Sequence, residues 1–126
     1  MAGKRIKLYN HGRNKRDFTY ISDVTDAIEK IIARPPAPDD RRVRHKIYNI
    51  GNSRPVDVIT FVHVLEKALK REKILPPGMR LDEYIDFVDA QHGDVELTYA
   101  DINDLQSDFN IRPQIALDEG LGCFGK

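Results

Sequence analysis

Between positions 56 and 71 the apolar side chains Val58, Phe61, Val62, Leu65, Ala68 and Leu69 recur with helical spacing, and this pattern predicts a long helix from about Pro55 to Arg71. A proline near a first helical turn fits there because its missing amide hydrogen has no intrahelical partner in any case. A second stripe, Val24, Ala27, Ile28, Ile31 and Ile32, predicts a helix running to Ala33, with Ser22 or Asp23 as cap and Pro35 and Pro36 as terminators. Ile102, Leu105 and Phe109 mark a shorter helix behind Asp101, and Leu117, Leu121 and Phe124 mark a final amphipathic one. Strand candidates are Ile6 to Tyr9, Phe18 to Tyr20, and Ile47 to Ile50. The run Leu81 to Val88 fits either a short amphipathic helix or an irregular flap. Polar turns fall at Asn10 to Asn14 and at Pro76-Pro77-Gly78, and a proline- and arginine-rich loop is expected from Pro35 to Arg44. Short strands alternating with packed helices give an α/β class.

The chain has 126 residues, enough for one domain and short for two. Its 40% hydrophobic and 32% charged content supports a soluble core. Twenty basic and 20 acidic side chains leave no net charge, which argues against a nucleic-acid partner. The distribution is uneven: positions 1–16 carry six Lys or Arg and no acid, whereas positions 82–119 carry eleven acids and Arg112 alone as a base. Folding either separates these ends or brings them together. The single cysteine, Cys123, cannot form an internal disulfide and points to a reducing, cytoplasmic setting. No long apolar span or signal-peptide pattern is present, so no membrane partner is expected, and Met1 to Lys4 reads as a chain start or break rather than a targeting segment.

Histidines stand at 11, 45, 63 and 92 without a close pair, and no metal-ligand spacing is evident. His11 and His63 read as surface or structural residues. Ser22, Ser53 and Ser107 lack the glycine pattern of an exposed nucleophile. Gly120-Leu121-Gly122 is too late and too short for a dinucleotide cradle, so no cofactor is expected on this chain alone. Arg16, flanked by Arg13 and Lys15, offers a fork suited to two phosphate oxygens, against the plainer reading of a solvated pair with Asp17. Asp94, behind Gln91-His92-Gly93, can accept hydrogen bonds from sugar hydroxyls or simply belong to a turn.

Three blocks carry a resemblance: Lys15-Arg16-Asp17-Phe18-Thr19-Tyr20-Ile21-Ser22-Asp23, Tyr48-Asn49-Ile50-Gly51-Asn52-Ser53-Arg54-Pro55-Val56, and Gln91-His92-Gly93-Asp94-Val95. With Thr98-Tyr99-Ala100-Asp101 and Asp118-Glu119-Gly120 they occur in order along nearly the whole chain. The sequence resembles the C-terminal part of an extended short-chain dehydrogenase/reductase, closest to the UDP-glucuronate 4-epimerase branch. The resemblance implies that residues 1–126 are one nucleotide-sugar substrate-binding region, the N-terminal Rossmann core with its glycine fingerprint and Tyr-x-x-x-Lys being missing. It implies that the Tyr48–Gly51 strand completes the large domain in whole members, which use NAD to epimerise the fourth sugar carbon. By the same resemblance Arg16 holds the nucleotide-sugar diphosphate, Asp94 the ribose, and Gln91 a neighbouring substrate-facing position, with no catalytic residue on this chain. His92 stands where that branch commonly has proline. The expected partners are a UDP-sugar and either a second copy or the missing N-terminal domain. The alternative is a noncatalytic oligomerisation module.

Overall fold

Two segments nearly eighty positions apart run side by side and in the same direction. The structure is a computed structural model that describes residues 5–38 and 45–123. Strand β1 (Ile6–Leu8) pairs in parallel with a strand at Ile85–Phe87, in the register Ile6 to Ile85 and Leu8 to Phe87. Leu8 and Ile85 are buried while Ile6 and Phe87, two residues along on the same face of each strand, are exposed, so burial changes along the strands and not between their faces. A two-residue strand β2 (Lys15–Arg16) pairs antiparallel with β3 (Val56–Asp57), and Lys15 also bridges Leu97 in parallel. The Ile85–Phe87 strand is β4.

Helix α1 (Ile21–Ala33) has Tyr20 at its N-cap, two residues before Ser22 and three before Asp23. Asp23 does not cap it: its carboxylate accepts the backbone N–H groups of Gln114 at 3.2 Å and Ile115 at 3.0 Å, so the first turn holds the chain that leads to the last helix. Helix α2 (Val58–Arg71) starts three residues after Pro55, because Val56 and Asp57 are taken by β3. Helices α3 (Asn103–Phe109) and α4 (Leu117–Cys123) complete the set. Asp101 Oδ1 accepts the Asn103 N–H at 3.0 Å and covers a free donor at the start of α3. Asn110 ends α3 with φ +53°, a conformation asparagine tolerates at a helix C-terminus.

Ala27, Ile102, Leu105 and Ile111 form the buried core between α1 and α3, with Ile31, Tyr48, Ile50, Ala100 and Phe109 against it. Burying a leucine fully, as at Leu105, is worth roughly 1.5–3 kcal/mol. The α1 stripe is only half used, since Ala27 is fully buried while Ile28 and Ile32 are 45% and 74% exposed.

Three expectations change. Phe18 to Tyr20 form no strand: the Asp17 N–H donates to Thr98 Oγ1 and Phe18 stacks on Phe61 at 4.6 Å, so side chains and not a ladder fix this stretch. Ile47 to Ile50 pair with no strand among the described residues, and Ile47 is 75% exposed. Leu81 to Val88 become a 3-10 turn (Leu81–Tyr84) followed by β4. Glu66 of α2 anchors that turn by accepting the Leu81 N–H at 2.7 Å; its salt link to Lys70, then the Leu81 bond, hold its carboxyl below the usual range. Positions 39–44 of the expected loop, and Phe124 of the expected final helix, lie outside the described residues.

Candidate functional site

Arg16 lies in β2 and Asp94 at the end of a tight turn, 78 positions later, yet Arg16 Nη2 donates to Asp94 Oδ1 at 2.7 Å. The parallel alignment of the two segments brings them together: Lys15 donates its N–H to Glu96 O at 2.7 Å and accepts from Thr98 N–H at 3.0 Å. Both side chains are largely shielded, 25% and 32% exposed. Arg16 Nη1 also donates to its neighbour's carbonyl, Lys15 O, at 2.9 Å. A guanidinium has five N–H groups, so this fork is oriented by two bonds and keeps donors for an incoming anion.

The Asp94 N–H donates to Gln91 O at 3.1 Å, which closes a turn over His92 and Gly93. Gly93 has φ +85°, the value that the third position of a type II turn demands. An added Cβ at Gly93 would meet nothing within 4 Å, so the backbone angle alone calls for glycine. Gln91 is exposed beside this turn, and its carbonyl is its contribution to Asp94. The structure thus joins Arg16 and Asp94 directly and Gln91 to Asp94 through the backbone.

Two residues that sequence reasoning left without a role are central. Asp17 Oδ2 accepts from Ser53 N–H at 3.0 Å and Ala100 N–H at 3.2 Å, and Oδ1 from Arg54 N–H at 3.3 Å. It ties the turn at Gly51 to Ser53 and the segment behind Asp94 to the base of β2. A recess lined by Asp17, Thr19, Asn49, Gly51 and Thr98 opens there. Asn14, 4% exposed, donates its side-chain amide to Asp94 Oδ2 at 2.6 Å. Only membership of the first resemblance block could have drawn attention to Asp17, and nothing in the sequence marks Asn14 among the polar residues of its turn.

His11 pairs with Asp89 at 3.2 Å and His63 with Asp82 at 3.0 Å; hydrogen bonds from His63, then Arg80, keep the Asp82 carboxyl below its ordinary range. Among the described residues no cluster of three His, Cys, Asp or Glu side chains is placed to hold a metal ion, and no helix is long and apolar enough to cross a membrane.

Residues 1–51 match the model of the NAD dependent epimerase/dehydratase family. Along 94% of this chain the sequence is 33% identical to protein CapI of Staphylococcus aureus, and along 97% it is 31% identical to a probable UDP-glucuronate 4-epimerase of Rhizobium meliloti. The chain is related to the NAD-dependent epimerase/dehydratase family. It spans 36% of the length of each of those two relatives. Among solved structures, MoeE5 in complex with UDP-glucuronic acid and NAD superposes over 96% of this chain and 35% of its own, with a TM-score of 0.66 and 27% identity. The family's cofactor does not fit the residues described here. The short strand-to-helix junctions, β2 to α1 and β3 to α2, carry no glycine, and the long connection from β4 to α3 has only Gly93, in the turn that ends at Asp94. Gly120 and Gly122 lie within α4, closely packed under Tyr20 and Arg71. None of them forms a backbone cradle for a pyrophosphate.

Proposed function

We propose that this chain is the C-terminal, substrate-side segment of an NAD-dependent nucleotide-sugar epimerase, with a UDP-uronate such as UDP-glucuronate as its ligand. The observation that carries the reading is the Arg16 to Asp94 pair, built from two of the blocks on which the family resemblance rests. In this reading Arg16 directs its remaining N–H donors at the diphosphate, Asp94 accepts from the ribose hydroxyls, and exposed Gln91 borders the sugar. The chain's work is binding and orientation: it fixes the nucleotide so that the fourth carbon of the sugar is presented in one place. NAD, which supplies and removes the hydride in such enzymes, and the groups that move the proton belong to chain beyond these residues. Calorimetry with UDP and UDP-glucuronate tests this. Saturable binding that falls at least tenfold in Arg16→Ala supports it; a folded wild-type chain that binds neither ligand refutes it.

A second reading, an assembly module, draws on the outward half of α1. Ile21, Ile28 and Ile32 lie along one line of that helix and are all exposed, and Ile47 is exposed as well. Here the face docks a second copy of this chain or the remainder of an epimerase. A stable oligomer by sedimentation, without UDP binding and dispersed by Ile28→Glu with Ile32→Glu, would favour it over the first.

A further inference from the structure

The loop before β2 holds residues in the left-handed region. Asn10, His11 and Gly12 have φ values of +49°, +53° and +74°, three left-handed residues in succession. For the two that are not glycine this conformation is unfavourable, and its persistence means that surrounding bonds over-determine it. The consequence is visible in the side chains. Asn10 Nδ2 points forward and donates to Asn14 Oδ1 at 2.6 Å, and Asn14 Nδ2 donates to Asp94 Oδ2 at 2.6 Å. Asp94 Oδ1 then accepts from Arg16. Arg13 secures the start of the chain by donating its backbone N–H and Nε to Asn10 O, at 3.0 and 3.3 Å.

We propose that Asn14 is a positioning residue for the nucleotide site: through Asp94 it fixes the rotamer of Arg16, and so the direction in which the guanidinium presents its free donors. The inference rests on the reading of Arg16 as a diphosphate ligand for its purpose, but the relay itself can be tested without any ligand. Asn14 suits this work because an amide donates and accepts at once. Its Oδ1 accepts a hydrogen bond from Asn10 Nδ2 while its Nδ2 donates one to Asp94 Oδ2. The residue is buried, so both groups are shielded from competing water. Of the carboxylate's two oxygens, one is held by Asn14, which leaves the other aligned on Arg16. A carboxylate held only by Arg16 would swing with it.

Two side-chain measurements on the 126-residue chain decide the matter. In wild-type protein the Asn14 Hδ2 protons should show nuclear Overhauser contacts to the Asp94 Hβ protons, and the Arg16 Nη protons should be resolved by restricted rotation. Absence of the Asn14–Asp94 contact in the folded wild-type chain overturns the proposal outright. Asn14→Asp keeps the side-chain size and the acceptor for Asn10 while turning a carboxylate oxygen on Asp94; Asn14→Ala removes the donor without adding charge. In either folded variant the Arg16 Nη signals should average, and UDP affinity should fall about five- to tenfold with Arg16 itself intact. Resolved Arg16 Nη signals in a folded variant would refute the relay. If wild-type protein shows the relay but binds no UDP, the assignment of Arg16 to a diphosphate fails and the positioning role of Asn14 stands.

Discussion

Replacing Asp17 should be among the most damaging single changes on this chain, and the structure sets the scale. Its carboxylate accepts three backbone N–H groups from two remote segments, those of Ser53, Arg54 and Ala100. The Arg54 donor is exposed and can turn to water, whereas the Ser53 and Ala100 bonds are partly buried. Leaving a buried donor without a partner costs about 1–3 kcal/mol. Two such donors give about 2–6 kcal/mol for Asp17→Ala, a large share of the roughly 5–15 kcal/mol that holds a domain folded. Asp17→Asn should cost less, about 1–2 kcal/mol. Its one carbonyl oxygen can occupy the Oδ2 position, which serves both shielded donors, and its amino group then faces only the exposed Arg54 N–H. The assay is equilibrium urea unfolding followed by circular dichroism. With a slope of about 1.5 kcal/mol per molar, a 3 kcal/mol loss moves the midpoint by about 2 M. A variant unfolded without urea is the same result at its extreme. Equal midpoints for Asp17→Ala and wild type, or a larger loss in Asp17→Asn than in Asp17→Ala, would refute the reasoning.

Gly51→Ala strikes the same junction from the other side, because an added Cβ overlaps Ala100 Cβ and lies 2.9 Å from Asp17 Oδ2; a loss of about 1–3 kcal/mol is expected in the same urea assay. His92→Pro should stabilise by about 0.4–1 kcal/mol, since proline suits the second position of a type II turn and restricts the unfolded chain; a lowered urea midpoint would show that the turn is of another kind. Asp108 contributes a pH dependence of known sign. Hydrogen bonds from Lys46 first, then Tyr48, lower its carboxyl to about 2, so its contribution is present above the ordinary carboxylate range and is lost as pH falls from about 4 toward 2. Lys46→Met should flatten that part of the acid-unfolding curve, and an unchanged curve would show that the pair does not couple to folding.

The helices were legible because their signals are local. The Ala27 to Ile31 stripe, the Val58 to Leu69 stripe and the prolines after Ala33 each lie within a few turns of the element they define. The parallel pairing of β1 with β4 was not legible, since it joins Ile6 to Ile85 across most of the chain and no turn residue records it. The site divides the same way. Arg16, Gln91 and Asp94 were singled out by residue chemistry and resemblance, whereas Asn14 and Asp17 act through partners whose proximity only the fold supplies. Ile47 to Ile50 shows the reverse failure. Its apolar, β-branched composition reads as a strand, but no neighbouring strand among the described residues offers it a ladder.

The uneven charge along the chain finds its explanation in the same parallel alignment. Arg5 meets Asp86, His11 meets Asp89, Asn14 meets Asp94 and Asp17 meets Ala100, at separations of 81, 78, 80 and 83 positions. A nearly constant offset means that one basic strand-and-loop segment is laid along one acidic segment in register, so the two ends are brought together. The alignment has one irregular level. There the left-handed loop at Asn10 to Gly12 leaves one segment and the turn at Gln91 to Asp94 leaves the other. Pairing backbone to backbone is interrupted at that level, and side chains take over as Asn14, Asp94 and Arg16. Elsewhere along the zipper the guanidinium of Arg5 is bound to Asp86, Glu83 O and Ile85 O, and so serves the fold. Arg16 is held by fewer bonds and retains donors, so in the proposed reading the irregular level, and not the more basic start of the chain, offers its fork to an anion.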